Sequence, residues 1–247
     1  PPTPYIFMKL PLIPKIKGVF VTGTDTDVGK TVIAAGLTAG LRRRGLQAVY
    51  FKPMQSGCPE VGGKLIPTDA AWARDLAGLP EPLELLTPIT LRLPLAPGVA
   101  AAREGVAVDL GAIVQALQEL SSRYEFFVVE GAGGLYVPLI DTGFLVLDLI
   151  GWLGLPLLVV ARAGLGTINH TALTVMAARR HGVEVAGIVL NRGSATPSLA
   201  EQTNPAVIEA LTGRPILARV PEISDLNEAT GREALITALD GVAVALA

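Results

Sequence analysis

Cysteine, histidine, charge and long apolar runs are all scarce in this chain. One cysteine, Cys58, and two histidines, His170 and His181, stand among 247 residues. An internal disulfide and a Cys/His metal set are therefore excluded, Cys58 reads as a bystander in a loop, and the chain reads as cytosolic. Charged residues make up 17% and the net charge is −2, with no basic face evident, which argues against nucleic acid as the main partner. Half of the residues are hydrophobic, yet no uninterrupted apolar run reaches a membrane span. The nearest stretch, Phe144 to Ala161, is broken by Asp148, Gly151, Gly154 and Pro156, and it fits a helix followed by a buried strand rather than a bilayer crossing. No break in composition divides residues 18–247, which suit one large α/β domain. Residues 1–17 carry five prolines and no cleavage-site pattern, so they read as a flexible or strap-like extension.

The stretch that organises the rest is Gly18-Val-Phe-Val-Thr-Gly-Thr-Asp-Thr-Asp-Val-Gly-Lys-Thr31. Val19, Phe20 and Val21 read as a strand buried on both faces, and a helix starts near Thr31. Strand, glycine loop and helix form the usual phosphate-binding context: backbone N–H groups point at anionic oxygens, a Lys reaches the terminal phosphates and a Thr hydroxyl ligates magnesium. Lys30 and Thr31 fit those two roles. The loop is one residue longer than the common spacing, with five residues between Gly23 and Gly29, and it holds Asp25 and Asp27. An acid beside a triphosphate repels it unless a metal, an N–H group or a cationic substrate intervenes.

Further along, the first helix runs to Arg44 and stops at Gly45, with Arg42, Arg43 and Arg44 in its last turn as counter-charges to the helix end. Gln47-Ala-Val-Tyr-Phe reads as a second strand, running into Lys52-Pro-Met-Gln-Ser-Gly57, so Lys52 and Ser56 lie at a strand end, where ligands gather in parallel sheets. Thr68 or Asp69 is expected to cap the next helix. Gly78 to Pro97, rich in Pro and Leu, is expected to be irregular and to carry little chemistry. Asp109 to Ser121 has helical apolar spacing. Phe126 to Val129 is a strand ending in Glu130-Gly-Ala-Gly-Gly134, and an acid there is the usual holder of the nucleotide's magnesium. Leu155 to Ala161, Val185 to Leu190 and the segment after Arg214 supply three more strands. Gly166-Thr at the start of a helix offers free N–H groups to a carboxylate or phosphate. A final amphipathic segment runs from Glu233 to Leu239. Strands alternating with helices predict a doubly wound, mostly parallel sheet with helices on both faces, of the P-loop NTPase type.

Taken together, Gly23 to Thr31, Lys52-Pro with Ser56-Gly57, Thr68-Asp69-Ala, Glu130 to Gly134 followed by Pro138-Leu, Leu165-Gly with Ile168-Asn-His170, and Asn191 resemble, in order, the dethiobiotin synthetase family. The long loop is part of that family's pattern. The resemblance implies joining of 7,8-diaminononanoate to carbon dioxide at the expense of ATP, through a carbamate and its mixed anhydride with phosphate. It implies catalytic roles for Lys30, Lys52 and Thr26, and magnesium on Thr31, Asp69 and Glu130. ATP would contact Asp27, Val28, Gly29, Lys30, Thr31, Val32 and Glu130, with its base near Asn191 and Pro221. The diamine would contact Thr26, Asp27, Lys52 and Ser56. Gly166 and Asn169 would take its distant carboxylate from the other subunit of a homodimer. Some relatives have a Lys two residues before the helix-start glycine, where this chain has Gly164.

Two rival readings share the fold. An ATP-switched dimer of the partition or cell-division kind would carry a lysine five residues before the loop lysine, where this chain has Asp25, and many such proteins end in a basic helix, whereas Leu239 to Ala247 has no basic residue. An amidotransferase acting on a cobalt-corrin precursor would need a glutaminase domain with a nucleophilic cysteine, and Cys58 lies in the wrong context.

Overall fold

A computed structural model describes residues 10–247. Residues 1–9 of the proline-rich extension lie outside the described residues. Residues 10–17 have no regular structure, but Leu10, Ile13 and Ile16 pack against the core and the Trp152 indole N–H donates to the Pro11 carbonyl at 3.0 Å.

Six strands form the central sheet: β1 (Gly18–Gly23), β2 (Ala48–Phe51), β3 (Phe126–Glu130), β4 (Leu157–Arg162), β5 (Val185–Gly193) and β6 (Ile216–Pro221). Their spatial order is β6-β5-β4-β1-β3-β2, and every pairing is parallel. A strand covered on both faces needs apolar residues at every position, and β1, β2 and β3 are buried throughout. The chain first builds β2 and β3 on one side of β1, then crosses to add β4, β5 and β6 on the other. The connections leaving the strand ends part there and open a crevice at the carboxyl end of β1.

Ten helices among the described residues cover the sheet: α1 (Lys30–Arg43), α2 (Thr68–Ala77), α3 (Leu83–Leu86), α4 (Pro97–Glu104), α5 (Leu110–Ser121), α6 (Val146–Leu153), α7 (Thr167–Arg180), α8 (Leu199–Thr212), α9 (Ala229–Ala238) and α10 (Asp240–Leu246). α1 packs with α2, α9 and α10, while α7 packs with α8. None of the described helices is long and apolar enough to cross a membrane. The doubly wound α/β fold is as the sequence predicts, with three differences in detail. Neither Thr68 nor Asp69 caps α2: the N-cap is Pro67, and both side chains bond elsewhere. The segment 78–97 is irregular apart from α3, two strand residues, Ile89–Thr90, paired with Met54–Gln55, and Pro97, which opens α4. α8, opened by a Ser198–Glu201 capping box and carrying Pro205 inside it, has no counterpart in the sequence reading.

Candidate active site

The loop between β1 and α1 is held open by backbone geometry. Gly29 precedes the helix at φ 93°, with no side chain capping the first turn, so the helix-start N–H groups stay available for an anion. A Cβ on Gly29 would lie 2.1 Å from Nδ2 of Asn191, which donates to the Val28 carbonyl at 2.9 Å. Asp27 is left-handed at φ 55°. Asp25, the acid that sits awkwardly in a phosphate loop, is turned aside: its carboxylate accepts from the Thr26 N–H at 2.7 Å and faces Arg162 at 3.6 Å. The Lys30 ammonium folds back onto the Asp25 carbonyl at 3.0 Å. Burial, then the neighbouring Lys52, pull the pKa of Lys30 down, and the raising effect of Glu130 does not restore it.

Below the loop lies a compact ionic cluster. Glu130, at the tip of β3, is 1% exposed. Its Oε1 accepts from the Thr31 hydroxyl at 2.8 Å and the Lys52 ammonium at 2.8 Å, and its Oε2 accepts from the Tyr50 hydroxyl at 2.6 Å. Lys52 also donates to Asp69 Oδ2. Burial alone would lower the Lys52 pKa, but the Glu130 and Asp69 carboxylates outweigh it and the net shift is upward. Burial and the same Glu130 charge push the Tyr50 phenol well above its usual value. Asp69 reaches the cluster because Gln55 clamps the start of α2: its amide donates to the Thr68 hydroxyl at 3.0 Å and accepts from the Asp69 N–H at 3.2 Å.

Thr26, Asp27, Gly29, Lys30, Thr31, Val32, Lys52, Ser56, Asp69 and Glu130 all line one cavity of about 660 Å³. Val28 does not; its side chain is buried under the loop. Asn191 and Pro221 line a neighbouring cavity of about 320 Å³, which shares Val32 and Arg192 with the first. Gly166 and Asn169 line neither cavity and are exposed. Pro94, Leu95, Ala96 and Pro97, from the segment expected to carry little chemistry, form part of the main cavity wall.

Tyr50, Gln55 and Arg192 were not evident as site residues from sequence. Tyr50 carries the clearest overlooked signal: it lies two residues before Lys52, and alternate residues of an extended strand share a face. Among the described residues no group of three or more His, Cys, Asp and Glu side chains converges as a metal site. The donor set still suits a hard cation, because it is all oxygen: the Asp69 and Glu130 carboxylates share the Lys52 ammonium, and the Thr31 hydroxyl bonds to Glu130.

A family model described as an AAA domain matches residues 17–230. The chain is 50% identical over 211 residues to an ATP-dependent dethiobiotin synthetase BioD of Anaeromyxobacter dehalogenans, a match covering 85% of this chain and 92% of the relative. A protein of the same description from Clostridium kluyveri is 41% identical over 215 residues, covering 86% and 88% of the two chains. Among solved structures, the septum site-determining protein MinD complexed with Mg-ADP from Pyrococcus horikoshii aligns with a TM-score of 0.53 at 16% identity, covering 92% of this chain and 96% of that one. That last likeness is one of fold.

Proposed function

The chain belongs to the ATP-dependent dethiobiotin synthetase family, and we propose that the cavity at the carboxyl ends of β1, β2 and β3 is where it carries out that family's reaction. The enzyme is a ligase of biotin biosynthesis that uses ATP to join carbon dioxide to 7,8-diaminononanoate and close the ring of dethiobiotin. One amine, as its free base, attacks carbon dioxide and loses a proton to give a carbamate. The carbamate oxygen takes the γ-phosphoryl group, releasing ADP. The second amine then attacks the carbamate carbon and displaces phosphate. Negative charge is created or moved at each step, so the site must supply fixed cations and hold two amines within reach.

The residues supply both. Lys30 and Lys52 bring two ammonium groups to one cavity, where they steady the carbamate and the transferring phosphoryl group. The N–H groups of Gly29 to Val32 cradle the phosphate chain, with Asn191 and Pro221 beside the base. Thr26 and Asp27 face the diamine; an acid in this loop is an asset when its neighbour is an amine. Thr31, Asp69 and Glu130 would hold magnesium, which neutralises phosphate oxygens when bound. Ser56, together with Gly166 and Asn169 of a second copy, takes the substrate's carboxylate. Support for that second copy comes from exposed apolar side chains before and along α7: Leu165 is 93% exposed, Met176 63% and Leu173 58%, with Tyr136, which shares a cavity wall with Leu173, 59% exposed.

The observation that carries the reading is the placement of Lys52 between Asp69 and Glu130, under an uncapped helix start. The deciding assay is phosphate release from magnesium ATP and bicarbonate, with and without 7,8-diaminononanoate. Release is expected only with the diamine. Brisk hydrolysis indifferent to it would contradict the assignment and fit an ATP switch.

A further inference from the structure

Three cationic side chains line the main cavity: Lys30, Lys52 and Arg192. Lys30 is committed to the Asp25 carbonyl, and Lys52 to Asp69 and Glu130. Arg192 is not committed: among the described residues its guanidinium makes no hydrogen bond or ion pair. It also stands at a particular place, because it and Val32 are the residues shared by the main cavity and the outer one.

The backbone is arranged to put it there. Arg192 has φ 57°, a left-handed conformation that costs a residue with a Cβ about 1–2 kcal/mol. Its neighbours are anchored on both sides: the Asn191 amide bonds to the Val28 carbonyl, and the Gly193 carbonyl accepts from the Glu222 N–H at 2.8 Å. The pairing of β5 with β6 shifts register between Leu190 and Gly193, and such a break re-aims the side chain it contains.

We propose that Arg192 binds the α-phosphate of the nucleotide, where the phosphate chain leaves the glycine loop for the sugar. Val32 follows Thr31 in the first turn of α1, so the passage it shares with Arg192 lies toward the outer cavity of Asn191 and Pro221. A chain with its last phosphate beside Lys30 and Lys52 and its base by Asn191 has its first phosphate at this passage. A guanidinium there can give two parallel charge-assisted hydrogen bonds to one phosphate. The inference rests on the reading of the cavity as a nucleotide site.

The test measures binding of adenosine, AMP, ADP and ATP, with magnesium, to the wild-type protein and to Arg192→Gln. The variant is expected to lose about tenfold in affinity for AMP, ADP and ATP alike and to bind adenosine unchanged. In turnover the KM for ATP rises by the same factor while kcat holds. Arg192→Gly relaxes the left-handed backbone, so it is expected to melt above wild type and still show the full loss. An equal loss for adenosine, a loss confined to ATP, or no loss at all overturns the α-phosphate assignment while leaving the nucleotide site intact. Wild-type protein that binds neither ADP nor ATP overturns the site itself.

Discussion

α1 and α7 begin in the same way and end up in opposite surroundings. Each starts after a glycine at φ 93°, with no side-chain cap and no acid in its first turn, so each presents free N–H groups and the positive end of a helix dipole. At α1 the protein closes over the opening: a Cβ on Gly29 would strike Asn191, and Lys30 is buried. At α7 nothing lies within 4 Å of such a Cβ on Gly166, and Leu165 beside it is almost wholly exposed. The first helix start is enclosed by residues of its own chain. The second presents the same free N–H groups at an exposed face, the face that the proposed function assigns to a second copy.

The largest effects separate the two sites by what they do to turnover. Lys52→Ala is expected to lower kcat by about 10²–10³-fold, the scale for removing one donor that meets charge developing in the reaction, with ATP affinity retained in equilibrium binding. Asn169→Asp places a negative charge at the start of α7 and is expected to raise the KM for the diamine about tenfold at similar kcat, as loss of uniform binding does. If steady-state kinetics gave both variants the same signature, the division between a reacting end and an anchoring end would fail.

Stability sharpens the same contrast. Gly29→Ala meets both the left-handed backbone and the Asn191 amide, and is expected to cost about 2–3 kcal/mol. Gly166→Ala meets the backbone penalty alone, about 1 kcal/mol. Equal melting shifts would mean that Asn191 yields freely and that the enclosure of α1 is loose. Lys30 extends the test. Its buried ammonium has a lowered pKa, so the charge opposes folding until an anion arrives. Lys30→Met is expected to melt slightly higher than wild type without ligand and to lose the stabilisation that ATP confers.

The smallest effect is in alkali. The Tyr50 pKa is raised well above 10.0. Once pH passes that ordinary value, the unfolded chain gives up the phenolic proton while the folded one keeps it, and stability falls with pH. Tyr50→Phe removes this titration, so its melting temperature is expected to decline less steeply above pH 10 than that of wild type. Identical slopes would detach Tyr50 from the Glu130 cluster.

The enclosed site was more legible in the sequence than the open one, for a physical reason. Lys30, Thr31, Lys52 and Glu130 each follow a strand made of strong β-formers, and in a parallel sheet those ends must meet. Asp69 was harder to place, since helix-start acids are commonly caps; the clamp from Gln55 that diverts it depends on a contact 14 residues away in the chain. The wall from Pro94 to Pro97 gave no signal, because prolines and leucines in an irregular segment look alike whether or not they face a cavity. α8 was missed because Pro205 interrupts its pattern, yet its Ser198–Glu201 box was visible as a helix start. Arg192 shows the limit most clearly: a single arginine after a strand has no pattern, and its position follows only from a register break between two strands.

The central claim, that α7 of one copy completes the site of the other, is tested by mixing subunits. Lys52→Ala and Asn169→Asp proteins are each assayed at low diamine concentration, then dissociated, combined in equal amounts and reassembled. A mixed dimer has one cleft with Lys52 intact that faces an intact α7, so activity is predicted to recover to about a quarter of the wild-type rate. A mixture that performs only as the average of its two parents would show that each cleft works with its own α7 or with none.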